Sequence, residues 1–277
     1  MHPIFFHLGP LTIHWYGVMM ALGFLAGLVN WHFAGRARGW DIKFSSDLLL
    51  WIMSSGIVGG RLAYVASEWG YFAGHPFKML RVDEGGLIYY GGFIGAVIAI
   101  GIFARTRGES IVRVCDFAGT SLPLAHAFGR IGCFLNGCCH GVVTKSWIGV
   151  CFPAESLAWR EHLAERRINA LASRSLPVHP VQLYEVVLDL ALFGVLWAVY
   201  RRRPRDGRVA GLYLLLYPAG RFCLEFIRGD ERMRWASLSV AQWFSVALFM
   251  AGLWLVFGYG RQAETPAAPR AKPEGLK

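Results

Sequence analysis

Apolar residues in this chain fall into long blocks separated by short charged stretches. Seven blocks are long enough to cross the hydrocarbon core of a bilayer as helices, since a helix rises about 1.5 Å per residue. The alternation of apolar and polar residues typical of barrel strands is absent. The pattern predicts an all-α, polytopic membrane helical bundle with seven transmembrane helices, at 13–34, 48–66, 87–104, 117–135, 181–200, 210–227 and 240–257.

The composition excludes a soluble enzyme, a coiled coil and a disordered chain. Of the 277 residues, 55% are hydrophobic and only 17% are charged, whereas soluble domains carry about a quarter charged residues. The formal net charge of +10 is also found in proteins that bind nucleic acid. Here the basic residues flank the apolar blocks, so no nucleic-acid partner is expected.

The basic residues also predict an orientation. They concentrate in alternate connections, around Arg36, around Arg107, in 201–208 and after 260. By the positive-inside rule these connections are cytoplasmic, so the N-terminus is outside and the C-terminus is inside. The segment 261–277, rich in Ala, Pro and charge, is predicted to be a disordered cytoplasmic tail, which leaves 1–260 as the transmembrane domain.

The longest connection, about 138–179, is predicted to be a small outer cap. Leu157, Ala164, Ile168 and Leu171 recur at helical spacing among Arg and Glu residues, which indicates an amphipathic helix. The alternative is a surface loop with one helix and no chemistry.

The sixth apolar block carries charges on one face. Tyr217, Arg221, Glu225 and Arg228 share that face, directly after Pro218 has removed a backbone donor, which predicts a kink. A charge inside a bilayer costs roughly 3 kcal/mol on insertion scales. Arg221 and Glu225 are one turn apart and therefore form a structural ion pair in the simplest interpretation.

A second deep arginine, Arg130, argues for a ligand. Two guanidinium groups have more capacity than Glu225 alone satisfies, so an anionic partner is expected. Arginine matches phosphate oxygens in bidentate fashion. In a membrane the abundant phosphate is a lipid headgroup, and the sequence therefore favours a lipid substrate.

Small residues recur four apart in two blocks. Gly56 with Gly60, and Gly91 with Gly95, predict close helix packing. Gly91, which follows Tyr90, is alternatively a site where backbone N–H groups face a ligand.

The six cysteines include a run of three near the end of the fourth block, Cys133, Cys138 and Cys139. The run lacks a paired C-x-x-C, so no metal is expected. A structural disulfide from Cys138 or Cys139 to Cys151 is equally consistent with an outer location. The G-x-S-x-G motif is absent, and no covalent enzyme intermediate is expected.

Several motifs together resemble those of prolipoprotein diacylglyceryl transferases. The most specific are Gly129-Arg130-Ile131-Gly132, continued to Gly137, and the Arg-x-x-x-Glu element at 221–225. The resemblance covers nearly the whole membrane region, because the remaining motifs follow in the family's order: Trp15-Tyr16-Gly17, Tyr90-Gly91-Gly92, Asp116 and the stretches 179–185 and 221–228.

The resemblance implies an enzyme of the bacterial cell (inner) membrane. Such an enzyme transfers the diacylglyceryl group of phosphatidylglycerol to the lipobox cysteine of a preprolipoprotein, forming a thioether and releasing glycerol phosphate in the first step of lipoprotein maturation. The implied partners are phosphatidylglycerol, preprolipoprotein signal peptides and membrane lipids, and no cofactor is implied.

The resemblance also assigns roles to residues. Arg130 matches the phosphatidylglycerol-binding arginine, Arg221 matches the second essential arginine, and Glu225 orients Arg221. Further residues are expected to line the substrate site: Tyr16, Gly91, Asn136 and Tyr217.

The chain departs from the family pattern at three positions. Many members have a histidine, the proposed general base, where this chain has Tyr90, and a phenol with a pKa near 10 suits that role poorly. Tyr90, His140 and an arginine acting alone are the alternatives for thiol activation. Many members also have Asn at Cys133 and Glu at Cys138.

Two other functions compete with the transferase. One is a non-catalytic or thiol/metal-redox membrane protein that uses the cysteine cluster, and the other is a transporter, although no internal repeat supports the latter. On the transferase interpretation, alanine at Arg130 or Arg221 abolishes lipoprotein modification, whereas alanine at the cysteines largely spares it.

Overall fold

The computed structural model describes residues 4–8, 11–36, 38–82, 85–230 and 234–259, so the predicted tail at 261–277 lies outside the described residues. The described chain is mainly helical, as the apolar blocks predict. Its α-helices are α1 (Trp15–Arg36), α2 (Ile42–Ser67), α3 (Trp69–Phe72), α4 (Tyr89–Thr106), α5 (Ile111–Gly119), α6 (Leu122–Asn136), α7 (Leu157–Ala164), α8 (Val181–Arg201), α9 (Arg208–Glu225) and α10 (Val240–Leu253).

Short non-α elements complete the described chain, and they are a departure from the all-α prediction. The segment before α1 is rich in β-branched and aromatic residues and lacks a helical period, which favours a hairpin. The additional elements are a hairpin of β1 (Ile4–Leu8) and β2 (Leu11–His14), a hairpin of β3 (Arg234–Trp235) and β4 (Leu238–Ser239), a 3-10 helix (Pro76–Leu80) and a π-helix (Trp254–Tyr259).

The protein is a polytopic helical membrane protein. Five of the predicted blocks form helices that are long and apolar enough to cross a bilayer: Trp15–Arg36, Ile42–Ser67, Tyr89–Thr106, Val181–Arg201 and Val240–Tyr259. The block 117–135 is divided between α5 and α6. The block 210–227 falls on α9, which carries Arg208, Arg221 and Glu225.

The break between α5 and α6 lies at Thr120 and Ser121. Pro123 stands in the first turn of α6, where its missing N–H costs nothing, so a new helix begins there. The Nδ2 of Asn30 on α1 donates to the hydroxyls of Thr120 (3.2 Å) and Ser121 (2.8 Å). The polar groups of the break are therefore satisfied inside the protein, as membrane depth requires.

Glycines bring α2 and α4 into backbone contact. A Cβ on Gly59 would lie 2.4 Å from the carbonyl oxygen of Gly91, and a Cβ on Gly95 would lie 2.4 Å from that of Ser55. The predicted close packing is confirmed, although Gly59 rather than Gly60 makes the tightest contact with Gly91.

Asp116 on α5 fixes the start of α9. Its carboxylate is fully buried and accepts hydrogen bonds from the backbone N–H groups of Gly207 and Ala210, each at 2.8 Å. A carboxylate at a helix N-terminus satisfies free donors and favourably meets the helix dipole. Asp116 thereby sets where α9, with its two charged site residues, enters the bundle.

The segment 138–179 forms a small folded unit around Phe152, Ala158 and Val178. The predicted helix is present as α7, but it has only 8 residues and ends at Ala164, so Ile168 and Leu171 do not continue it. Leu157 and Leu171 are exposed, and the buried face of α7 instead carries Ala158, Trp159 and His162. Turns and isolated bridges, rather than helical periodicity, hold the rest of the segment.

Candidate active site

Four charged side chains from three helices meet in one cluster, which we call the charged cluster: Arg130, Glu185, Arg221 and Glu225. The Nε of Arg130 on α6 lies 2.5 Å from Oε2 of Glu185 on α8. The Nε of Arg221 on α9 lies 3.2 Å from Oε1 of the same glutamate. The Nη2 of Arg221 also lies 2.5 Å from Oε2 of Glu225, one turn later. The carboxylate of Glu185 thus bridges the two arginines.

The charged cluster is buried. The side chain of Glu185 is 1% exposed, that of Arg221 is 9% exposed and that of Arg130 is 15% exposed. Charges at such depth require pairing, because their desolvation costs several kcal/mol each. Two carboxylates balance two guanidinium groups, so the expectation that the arginines outnumber their carboxylates is wrong. The sequence pattern does not pair Glu185 with these arginines, because it lies in a different apolar block.

The donors of the charged cluster are only partly used. The Nη1 of Arg221 is buried and has no hydrogen-bond partner among the described residues. The Nε of Arg130 and both oxygens of Glu185 make close ionic contacts without the alignment of hydrogen bonds. Unpaired buried donors are costly unless a ligand or water satisfies them. An anion with several oxygens fits this requirement.

Close packing of α9 on α8 explains why Arg221 reaches Glu185. A Cβ on Gly220 would lie 2.5 Å from Cδ2 of Leu188, so a larger residue here would require the Leu188 side chain to move. The helix continues past Pro218 to Glu225, and the kink predicted there does not interrupt it. The face predicted to carry Tyr217, Arg221 and Glu225 is therefore intact.

Tyr217 lies beside the charged cluster. Its ring stacks on Tyr213 with centroids 5.4 Å apart and meets the edge of His126 at 5.3 Å. Its phenol is within electrostatic range of Arg130. The Nδ1 of His126 lies 2.8 Å from Oδ2 of the buried Asp189 on α8. A second polar pair therefore lies next to the arginines.

Tyr90, one of the three alternatives for thiol activation, lies in the first turn of α4 against two aromatic rings. Its ring is 5.4 Å from that of Phe244 and 5.7 Å from that of Tyr89. The neighbouring phenol of Tyr89 is within electrostatic range of Arg130 and Arg221. The sequence did not distinguish these two adjacent tyrosines, because neither helical spacing nor residue type separates them.

Gly91 faces α2 rather than open space. A Cβ there would lie 2.4 Å from both Cβ of Ala63 and the carbonyl oxygen of Gly59. Helix packing therefore explains why residue 91 is a glycine. A ligand that faces the backbone at this position is not needed to explain it. The N-terminus of α4, at Ile88, has no side-chain cap, so its first backbone N–H groups remain potential anion donors.

Tyr16 and Asn136 lie near the end of α6. Tyr16 on α1 packs over Gly132, where a Cβ would lie 3.1 Å from the tyrosine Cδ2, and it is within electrostatic range of Arg130. Asn136 ends α6, is exposed and lies beside Cys138. Both predicted lining residues are thus on the side of the charged cluster where α6 ends.

His140, an alternative for the base, is engaged in the 138–179 segment. Its ring nitrogens lie 2.8 Å from Oε2 of Glu161 and 3.0 Å from the carbonyl oxygen of Gly141, and the residue is 2% exposed. These contacts identify His140 as a structural residue that ties the segment together.

Three thiols converge where α6 ends, and we call Cys133, Cys138 and Cys139 the thiol cluster. Their sulfur atoms all lie within 4.8 Å of one another. Gly137 adopts a left-handed conformation (φ 72°) that ends α6, and Cys139 does so as well (φ 62°), which turns its thiol back toward Cys133. The sequence alone did not predict this convergence, since it depends on two left-handed residues.

The thiol cluster is separate from Cys151. All six cysteines are free thiols, and Cys151 is exposed, so the expected disulfide from Cys138 or Cys139 to Cys151 is not formed. The Arg228 guanidinium lies beside Cys139. Hydrogen bonds from Cys133 and Cys138, together with Arg228, hold the pKa of Cys139 below its usual value despite burial.

Comparison with known proteins agrees with the motifs. The family model described as prolipoprotein diacylglyceryl transferase matches residues 3–258. A phosphatidylglycerol–prolipoprotein diacylglyceryl transferase of Burkholderia mallei is 36% identical, over 94% of this chain and 95% of its own length. The protein of the same name from Burkholderia thailandensis is also 36% identical, over 96% of this chain and 97% of its own length. The chain belongs to the prolipoprotein diacylglyceryl transferase family.

Proposed function

We propose that this membrane transferase moves the diacylglyceryl group of phosphatidylglycerol to the thiol of a lipobox cysteine in a preprolipoprotein signal peptide. A thioether forms and glycerol phosphate leaves. The observation that carries the proposal is the charged cluster, in which Glu185 holds Arg130 and Arg221 side by side at depth with guanidinium donors still available.

The two arginines bind the phosphate. The reaction is a displacement at carbon, in which the phosphodiester oxygen becomes a leaving group and negative charge grows on the phosphate. Guanidinium groups that are already oriented stabilise this charge without reorganisation. Glu185 and Glu225 act as positioning residues, because each contacts an arginine rather than the reacting atoms.

The tyrosines divide between two tasks. Tyr89, near both arginines, donates a hydrogen bond to the phosphate, and Tyr217 and Tyr16 line the same space. Tyr90 is one of the sequence-based alternatives for activation of the acceptor thiol, and Gly91 and Asn136 are further lining residues. The ordinary pKa of a phenol is near 10, so the acceptor thiol needs a further means of activation.

The topology proposed is seven spans in a bacterial inner membrane. The broken pair α5 and α6 forms the fourth span, and α9 forms the sixth, with its charges facing protein. Arg38 and Arg113 both form ion pairs with Asp206, so the basic connections around these residues meet on one side of the bundle. The positive-inside rule assigns that side to the cytoplasm, so the N-terminus and the 138–179 cap are outside. Reporter fusions at the cap and in 202–207 test this orientation.

A mass-shift assay tests the reaction itself. The purified chain is combined in liposomes with phosphatidylglycerol and a peptide that carries a lipobox cysteine. We expect a diacylglyceryl mass on the cysteine with the native chain and with Arg160→Ala, whose ion pair with Glu155 is exposed. The product is expected to be absent with Arg130→Ala. Failure of the folded native chain, alongside an active reference transferase, would reject the proposed function.

A further inference from the structure

The thiol cluster has the composition of a soft-metal site. Three sulfur ligands on one tetrahedral ion, each about 2.3 Å from it, lie roughly 3.8 Å from one another. The observed separations are all within 4.8 Å, so small side-chain adjustments bring Cys133, Cys138 and Cys139 onto one ion. Cys139 joins the set from a left-handed backbone conformation (φ 62°), which a β-carbon disfavours.

The surroundings of the thiol cluster balance the charge of such a site. Three thiolates and Zn²⁺ together carry one negative charge. Arg228 lies beside Cys139, its side chain is 2% exposed, and its Nη1 is buried without a hydrogen-bond partner among the described residues. Arg130, one turn before Cys133, is also within electrostatic range of the cluster.

The described residues supply only three ligands. His140, the next residue in the chain, has both ring nitrogens engaged by Glu161 and Gly141. Structural zinc sites are closed by four protein ligands, whereas catalytic sites keep one position open. An ion held by three thiolates next to Arg130 therefore has the ligand number of a catalytic zinc site.

We propose that Cys133, Cys138 and Cys139 bind one Zn²⁺ ion whose open fourth position takes the acceptor cysteine of the signal peptide. This inference rests on the proposed function, for which it names the means of thiol activation. Coordination removes the thiol proton, which passes to water. The sulfur electron pair then forms the S–C bond, while the C–O bond breaks and its electrons leave with glycerol phosphate.

This role explains why a tyrosine is tolerated at position 90. A metal that holds the acceptor as a thiolate makes a strong base unnecessary, so the chemical weakness of the Tyr90 phenol is no obstacle. It also reverses the expectation from the sequence that the cysteines are dispensable for lipoprotein modification.

Metal binding is measured first, with Zn²⁺ alone and the full chain under reducing conditions. We expect one zinc per chain for the native protein and for Cys151→Ser, the matched control from the same cap. Cys133→Ser and Cys139→Ser are expected to retain less than a tenth of the zinc content of the native protein. Equal zinc content in native protein and cluster variants would overturn the proposal.

Co²⁺ as a probe tests the open position and does not depend on turnover. Addition of a lipobox peptide should raise the thiolate-to-cobalt absorption by about one third, as three thiolates become four, whereas a peptide with serine in place of the cysteine should leave it unchanged. A spectrum unaffected by the cysteine peptide would overturn the acceptor role, even where metal binds.

Turnover separates failure of this inference from failure of the proposed function. We expect chelation to lower transfer at least tenfold and Zn²⁺ to restore it, while Arg130→Ala binds zinc normally but transfers nothing. Full transfer by metal-free protein would reject the zinc role and keep the transferase. Zinc binding with no transfer from phosphatidylglycerol would reject the transferase.

Discussion

Glu185 and Arg221 contact one another across the α8–α9 interface, with Oε1 of the glutamate 3.2 Å from Nε of the arginine. The same carboxylate reaches Arg130 on α6, so one acidic side chain holds three helices together at the point where the reaction is proposed. Removal of this carboxylate leaves two buried guanidinium groups in repulsion.

Glu185→Gln is therefore expected to destabilise the protein. Breaking a buried pair costs roughly 3 kcal/mol or more, because the remaining charge is uncompensated. The measurement is the free energy of unfolding in detergent, with Glu155→Gln as control, since Glu155 is 73% exposed in its ion pair. Equal stability of the two variants would mean that Glu185 is not the anchor of the cluster.

Arg221→Lys is expected to lower turnover roughly 10²-fold, close to the effect of Arg221→Ala. A lysine keeps the charge but loses the planar fork that serves both Glu225 and a phosphate. The check is transfer rate at saturating phosphatidylglycerol, compared with Arg160→Lys. Near-native turnover by Arg221→Lys would show that charge alone suffices at this position.

Tyr89→Phe and Tyr90→Phe are expected to act differently. Loss of the Tyr89 hydroxyl should raise the KM for phosphatidylglycerol, because that phenol lies near both arginines. Loss of the Tyr90 hydroxyl should leave the KM for phosphatidylglycerol unchanged, because the Tyr90 ring packs against Phe244 and Tyr89. A change in KM with Tyr90→Phe alone would exchange the two assignments.

Arg61 is expected to be structural. Its guanidinium donates to the backbone carbonyls of Lys78, Met79, Gly85 and Gly86. Arg61→Ala leaves these acceptors unpaired and should destabilise the protein by roughly 3 kcal/mol. Limited proteolysis should show new cleavage near 78–86, with Arg36→Ala, an exposed residue at the end of α1, as control. Unchanged cleavage would indicate that water replaces the guanidinium.

The cap is expected to loosen in mild acid through His162. Burial, with His140 and Arg167 nearby, lowers the pKa of His162 below its usual value of 6.5, and its Nδ1 accepts a hydrogen bond from the N–H of Leu176. The unfolded segment therefore binds a proton more readily, so stability falls as the pH drops below about 6.5. Hydrogen exchange at 150–178 should accelerate in the native chain but not in His162→Gln.

The sequence predicted the helical elements well and the pairing between them poorly. Apolar length located α1, α2, α4, α8 and α10, because bilayer thickness dictates that length. Glu185 was not assigned to Arg130 and Arg221, since a contact between helices leaves no periodic trace in either. The break at Thr120 was not predicted, because the apolar block 117–135 continues across it.

The backbone contact between Gly59 and Gly91 packs α2 and α4 together as one unit. A methyl group at Gly91 would lie 2.4 Å from the carbonyl oxygen of Gly59, so α2 and α4 leave no space for a lipid chain between them at this point. Tyr89 and Tyr90, at the start of α4, therefore keep their positions unless α2 and α4 move together. The lipid substrate and the thioether product must therefore pass laterally between another pair of helices. That pair must lack a glycine contact of this kind.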